Sequence, residues 1–367
     1  MSPKLLKYKD TFFGFYQRHE VLVSIFVFVA GFVFDIFTLG RIDDLLNLVQ
    51  QAVYLTLLGS ILVLEVRVTH GTYQIPEKFQ KYWKYHSLAA HFLFGSLLSA
   101  YTIFYYTSAS AITSFAYIFL LVGLMLANEI PRFQNLGLPV RIILYNICLM
   151  SYFAFFYPII IGHVGVLPFW LGFLSSLAII IVIYKKFLKD LPISSDLGKK
   201  TALVSLIVHF LFLIGYYFSL IPPVPVAVKK IGIYYKLEKT AEHYEGYHLS
   251  PSWKFWEKGS QDFRVRPDDK ITLLVSIFSP ARFNDKIYLR WYWSDPKAGW
   301  TEQDVIPMNI LGGRDEGFRG FGVKANYLMG DWKVEVETSD GREVGRIRFS
   351  VTQDMSTEER AYNIDKF

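Results

Sequence analysis

The sequence predicts two parts: an α-helical polytopic membrane domain of seven spans over residues 1–221, then a C-terminal all-β, sandwich-like external domain over 227–353. Three observations carry this. Fifteen of the sixteen Lys and Arg residues in the first 200 positions fall on one side of a seven-helix membrane drawing. Seven apolar runs approach the ~20 residues needed to cross hydrocarbon. Beyond residue 221 the hydrophobic periodicity changes from helical to two.

The spans read as 21–40, 46–66, 87–107, 110–128, 139–162, 165–184 and 201–221. The run 21–40 starts only after Glu20 and no small-residue cleavage site follows it, so it reads as a retained first span. Basic residues concentrate in alternate loops: Lys4, Lys7, Lys9 and Arg18; Arg67, Lys78, Lys81 and Lys84; Arg132 and Arg141; Lys185, Lys186, Lys189, Lys199 and Lys200. The remaining loops hold only Arg41. Lys and Arg stay on the side from which helices insert, so the N-terminus is expected in the cytoplasm. An odd number of spans then places the β-domain outside. Tyr105, Tyr106, Tyr157, Tyr216 and Tyr217 fall near the external helix ends, as an interfacial aromatic belt would have them.

Composition narrows the function. Residues 1–221 carry sixteen Lys/Arg against ten Asp/Glu, whereas 222–367 carry 22 of each. The basic character therefore belongs to the membrane half, and the external domain offers no net positive charge for nucleic acid. Cys148 is the single cysteine, which excludes disulfides, zinc fingers, iron–sulfur clusters and Cys/His catalysis in the external domain. No cofactor is implied.

Ionisable groups inside spans are costly and mark candidates for function. They are Asp35, Glu65, His91 and His209, with Asn146 as a neutral companion. Glu65, His91, Asn146 and His209 share the cytoplasmic-side half, and Asp35 stands alone toward the outside. A proton relay or polar cavity competes with a packing reading, in which Glu65 and His91 reach interfacial water while Asn146 and His209 bond between helices. No internal repeat or broken span supports transport. His86 and His91 are five apart and share no helical face, so no metal site is expected. Asp43-Asp44 could bind a divalent cation near Asp35, against the plainer role of a helix cap.

Pro222-Pro223-Val224-Pro225 reads as a stiff, extended spacer over 222–226. Beyond it, Ile287, Leu289, Trp291 and Trp293 alternate with Lys286, Tyr288, Arg290 and Tyr292. Trp332, Val334 and Val336 are expected to share a face with Ile347, Phe349 and Val351, the two runs joined by a turn at Asp340-Gly341. Glu335 and Glu337 then share the other face with Arg346 and Arg348. Strand 271–278 is apolar on both faces and expected to be central. Residues 354–367 read as a polar tail that frays, and the isolated stretch 227–353 is expected to fold alone.

Trp253, Trp256, Trp291, Trp293, Trp300 and Trp332 crowd the external domain. Trp291, Trp293 and Trp332 read as core. The opposite face, with Tyr288, Arg290 and Tyr292, is the binding candidate, and Arg314 and Arg319 in a Gly-rich loop add charge-assisted contacts.

The order Gly330-Asp331-Trp332-Lys333-Val334-Glu335-Val336, Asp340-Gly341, Phe349-Ser350-Val351 resembles the end of a small bacterial β-domain, domain of unknown function 2914. Trp291-Tyr292-Trp293, Gly312-Gly313-Arg314 and Gly317-Phe318-Arg319 are similar to its middle portion. The resemblance covers roughly residues 265–352, and a multi-span half ahead of such a domain also resembles an arrangement in this family. It implies a bacterial, envelope-facing β-domain and imports no catalytic residues.

No catalytic motif emerges. His243 and His248 are the external domain's only histidines, and there is no nucleophile elbow. The expectation is a non-enzymatic inner-membrane protein whose external β-domain binds an envelope partner, protein or cell-wall glycan. The alternatives are a transporter or channel with an accessory β-domain, and an intramembrane lipid-modifying enzyme.

Overall fold

The computed structural model describes residues 32–33, 35–37, 39–109, 115–130, 133, 137–188, 196–240, 243–254, 256–312 and 317–367. The chain divides into two compact units. One comprises Met1–Phe104, Ala116–Phe153 and Gly172–Gly215; the other comprises Tyr105–Phe115, Ala154–Leu171 and Tyr216–Phe367.

The helices are α1 (Leu45–Thr69), α2 (Glu77–Trp83), α3 (His86–Thr107), α4 (Phe115–Asn128), α5 (Leu138–Ile161), α6 (Val166–Leu188) and α7 (Asp196–Tyr217). Among the described residues four are long and apolar enough to cross a membrane: α1, α3, α5, and α6 over Val166–Lys186. Seven spans are not supported. Among the described residues helix α4 has 14 residues, a rise of about 21 Å against a hydrocarbon thickness of about 30 Å. The apolar part of α7 is only Thr201–Tyr217. The predicted first span lies largely outside the described residues, as do the start of the fourth and Lys4, Lys7, Lys9, Arg18, Arg132 and Lys189.

Local chemistry explains the helix ends. Asp44 caps α1, its Oδ1 accepting from the Leu46 N–H at 3.0 Å. Gly162, at φ +87°, follows the last residue of α5 in the left-handed conformation that ends helices. Pro168 falls in the first turn of α6, where its missing N–H leaves no bond unmade. In the first unit α1 meets α5 closely: a Cβ on Gly59 would lie 2.8 Å from the Tyr145 hydroxyl.

The second unit is rich in β-structure. One sheet has the order β1 (Ala227–Tyr234), β5 (Ile271–Phe278), β8 (Phe318–Lys324). A second has the order β4 (Asp262–Val265), β10 (Glu343–Gln353), β9 (Gly330–Thr338), β6 (Asn284–Asp295), β7 (Gly299–Leu311). A third joins β11 (Asn363–Lys366), β3 (Tyr244–His248) and β2 (Lys236–Lys239). The first two sheets share one core, with Leu273, Val275 and Ile277 from β5 and Leu289, Trp291, Trp332 and Val334 from the other sheet. Strand 271–278 is central and buried at every position, Thr272 and Ser276 included, as apolar residues on both of its faces predict. The β9–β10 hairpin sets Trp332 opposite Phe349 and Val334 opposite Ile347, with Glu335 opposite Arg346 on the other face. Arg348 lies opposite Lys333 instead of a carboxylate.

Two expectations are corrected. The proline run is a compact turn, not an extended spacer: Val224 N–H bonds the Pro222 carbonyl at 2.8 Å, the Val224–Pro225 bond is cis, and Val224 and Val226 are buried. Val226 joins the domain core because β1 begins at the next residue. Residues 354–367 do not fray. Asn363–Lys366 pair with β3, and Phe367 is buried against Tyr234 and Leu274. Arg360 reaches Asp269 at 2.8 Å and Asp354 at 3.2 Å, and Arg266 reaches Asp354 at 2.7 Å, clasping the segment down.

Within this unit, the Gly162–Gly165 link between α5 and α6 is part of the β-domain. Val164 is buried in the shared core. The Gly162 carbonyl accepts from Asn284 N–H at 2.9 Å, and Val164 N–H donates to Asp285 Oδ2 at 3.3 Å. Tyr216, at the end of α7, stacks on Phe169 at 3.8 Å and donates to Asp340 Oδ2 at 3.1 Å, with the Arg342 guanidinium 4.9 Å above its ring. The stretch 227–353 therefore lacks both Val164 and β11, two parts of its own packing.

Candidate functional site

The outward face of β6 comes first. Period-two alternation buries Ile287, Leu289 and Trp291 completely and turns Tyr288, Arg290 and Tyr292 to the opposite, half-buried face. There Arg290 is already engaged: Nε donates to Glu337 Oε2 and Nη1 to Glu302 Oε2, both at 2.7 Å. These bonds push Arg290 further above its ordinary range. Burial raises the Glu337 carboxyl above the usual carboxylate range, with Arg290 acting in the opposite direction. Lys333 lies 4.4 Å from the Tyr292 ring centroid and 5.2 Å from that of Trp300, and its Nζ donates to Glu335 at 2.9 Å. Arg346 continues the row to Glu335 at 3.3 Å. The face is thus a ladder of cross-strand charge pairs, which holds the sheet together and leaves Arg290 little freedom for a ligand.

Of the remaining predicted binding residues, Tyr288 shares this face and Arg319 does not. Arg319 is on β8, in the other sheet, opposite Ser276. Arg314 lies outside the described residues. Tyr288 sits opposite Pro307 on one side and Glu337 on the other.

The feature that sequence reasoning underweighted is the loop between β3 and β4. Trp253 and Trp256 are 65% and 60% exposed, with ring centroids 5.6 Å apart at 67°. Lys254 lies 5.8 Å from the Trp253 ring and pairs with Glu257 at 3.2 Å and Asp262 at 3.6 Å. Both ends of the loop are pinned. The Ser250 hydroxyl donates to the Gly259 carbonyl at 2.7 Å, and Ser260 accepts from Leu249 N–H at 2.8 Å. Gly259, at φ +70°, lies so close to Ile233 that a Cβ would be 2.1 Å from its carbonyl oxygen. Two tryptophans three apart in a stretch lacking strand alternation were the available signal. By contrast Trp291 and Trp332 are fully buried, and the half-buried Trp293 donates to the Met329 carbonyl at 3.0 Å.

In the helical unit the expected polar cluster resolves into three hydrogen-bonded groups. Glu65 is held by Arg141, whose Nη1 lies 2.7 and 2.6 Å from its two carboxylate oxygens while Nη2 donates to Ser87 at 2.9 Å. His91 approaches the Asn128 side chain at 3.3 Å. Asn146 donates to Ser205 Oγ at 3.1 Å, and His209 contacts Ser176 Oγ at 3.1 Å and the Ser205 carbonyl at 2.9 Å. Arg141, assigned to a loop by charge alone, is buried inside α5. Its position within the predicted span 139–162 was the overlooked cue. Asp35 accepts from Ser99 at 2.5 Å, Asp43 pairs with Arg41 at 2.9 Å, and Asp44 caps α1. No group of three or more His, Cys, Asp or Glu among the described residues is placed to hold a metal ion.

These strands carry a recognisable pattern. Residues 284–351 match the family described as protein of unknown function DUF2914. The DUF2914 match opens at the first residue of β6 and ends within β10, so it covers β6 to β10 and their charge ladder. Trp253, Trp256 and the third sheet fall outside it. No curated protein matches the chain. Among solved structures, the Pseudomonas fluorescens alkylpurine DNA glycosylase AlkC, bound to DNA containing an abasic site analog, aligns with 85% of this chain and 99% of its own at 9% identity and a TM-score of 0.20. At that score neither fold nor function carries over.

Proposed function

We propose that this chain is a non-enzymatic, multi-pass inner-membrane protein that presents its β-domain to an envelope partner, with the Trp253–Trp256 loop as the contact surface. The observation that carries the reading is the pair of exposed indoles on a loop fixed at both ends. Large rigid aromatic surfaces bind at low entropic cost, whether to a protein or to the apolar face of a sugar. The saturated Arg290 face argues for moving the contact away from Tyr288, Arg290 and Tyr292. Exposed Leu203, Leu206, Ile207, Phe210 and Leu211 along α7 fit a lipid environment, and the distribution of basic residues supports an N-terminus in the cytoplasm and, with an odd number of spans, a periplasmic β-domain.

The test is photocrosslinking in intact cells from positions 253 and 256 of the full-length chain, with exposed Lys297 as a control. A discrete adduct from 253 or 256, absent from 297, supports the proposal, and its sensitivity to protease or to cell-wall hydrolase tells protein from glycan. Equal, diffuse background at all three positions refutes it. The transport reading is weakened by the Glu65–Arg141 ion pair, in which Nη1 donates to both carboxylate oxygens, because a relay carboxylate needs freedom to exchange its proton.

A further inference from the structure

In the helical unit α1, α5 and α6 line a groove of about 890 Å³. Its α1 wall follows one helical face, through Ala52, Thr56, Gly59, Val63 and Arg67. From residue 52 to residue 67 that wall runs about 22 Å, at ~1.5 Å per residue, comparable to an extended acyl chain. The opposing walls come from Tyr145 to Phe153 on α5 and Ala178 to Lys186 on α6. Small residues open the space: Ala52, Gly59 and Ser60 on α1 and Ala178 on α6. The hydroxyls of Thr56 and Ser60 bond back to the carbonyls of Ala52 and Thr56 at 2.8 Å each, so they present little polarity to an occupant.

Charge is confined to one end. Arg67, in the last turn of α1, and Lys186, in the last turn of α6, are the cations among the described lining residues, which include no carboxylate. Glu65, two residues from Arg67, is turned away to Arg141. A long, mainly apolar trough whose described charged lining residues are two cations at one end complements an amphiphile whose chain is apolar and whose head is negative. A soluble polar ligand would find few partners along the walls beyond the Tyr145 and Tyr152 hydroxyls, and a cationic amphiphile would meet like charge.

We propose that this groove binds one anionic phospholipid, its acyl chain along α1 and its phosphate between Arg67 and Lys186. Basic side chains at helix ends commonly contact lipid headgroups without selectivity. The proposal differs by requiring a retained lipid of defined charge. It rests on the reading of these helices as membrane spans and is independent of any partner of the β-domain.

The test is native mass spectrometry of the full-length chain, purified from membranes and titrated with phosphatidylglycerol or with phosphatidylethanolamine of the same chains. The wild type is expected to retain one phosphatidylglycerol in preference to phosphatidylethanolamine. The double variant Arg67→Gln/Lys186→Gln should lose that preference, with affinity for the anionic lipid falling about tenfold or more, roughly one tenfold step per 1.4 kcal/mol lost. Ala178→Phe should block both lipids by filling the trough; if it misfolds, the charge variant still decides. Equal retention of the two lipids by the wild type, unchanged preference in the double variant, or displacement of the lipid by inorganic phosphate alone would overturn the proposal. A chain recovered in the soluble fraction would instead refute the membrane reading beneath it.

Discussion

Substituting Glu65 separates a structural ion pair from a functional carboxylate. Arg141 is buried, and both Glu65 oxygens lie within 2.7 Å of its Nη1. Removing one partner of such a pair leaves a desolvated charge, which costs about 3–5 kcal/mol in buried settings. The Glu65 side chain is 22% exposed, so some water reaches the site and the lower figure applies. Glu65→Leu is therefore expected to destabilise by about 3 kcal/mol, more than a hundredfold in the folding equilibrium. The double variant Glu65→Leu/Arg141→Met removes both charges and should recover most of this, to within about 1 kcal/mol of the wild type. Ser87, the second acceptor of Arg141, loses one hydrogen bond from the guanidinium in the double variant. The assay is equilibrium unfolding of the full chain in mixed detergent micelles, read as a double-mutant cycle. Additive costs, or single variants within about 0.5 kcal/mol of the wild type, would refute the reasoning and restore Glu65 as a candidate for proton coupling.

Three further outcomes are expected. Gly162→Ala places a Cβ 2.5 Å from the Arg282 carbonyl oxygen at a left-handed backbone position, and should cost about 2 kcal/mol in thermal unfolding of the β-domain signal; an unchanged midpoint would contradict the packing of the α5–α6 link. Phe367→Ala should destabilise by about 3 kcal/mol by opening a cavity beside Tyr234 and Leu274, and truncation after Gln353 should expose β3 to proteolysis. His248 is held below its ordinary value chiefly by burial, with Asp365 opposing and Lys258 assisting. The folded state then resists protonation while the unfolded chain takes up the proton below 6.5, so its stability contribution is present above that value and lost as pH falls. Thermal midpoints measured between about pH 7.5 and pH 5.5 should drop on acidification, and His248→Gln should flatten the drop.

The sequence alone determined what depends on local pattern. Alternation assigned Ile287, Leu289 and Trp291 to the core and Tyr288, Arg290 and Tyr292 to the other face, because a strand turns successive side chains to opposite sides whatever it packs against. The Asp340-Gly341 turn marked the β9–β10 hairpin because Asp-Gly readily adopts the backbone of a tight turn, whereas the register, with its shift between Glu343 and Gly345, was decided by the fold. Long apolar runs located α1, α3, α5 and α6. Only the tertiary structure decided what depends on residues distant in the chain. Arg290 is spent on Glu302 and Glu337, which come from two different strands. Arg141 looked like a loop charge until Glu65, 76 positions away, neutralised it inside α5. The proline run and the C-terminal segment are polar or stiff by composition, and they are ordered by burial of Val226 and Phe367 against strands that local pattern cannot place. Burial and charge pairing act through space, so a partner's identity is fixed only once the chain has folded around it.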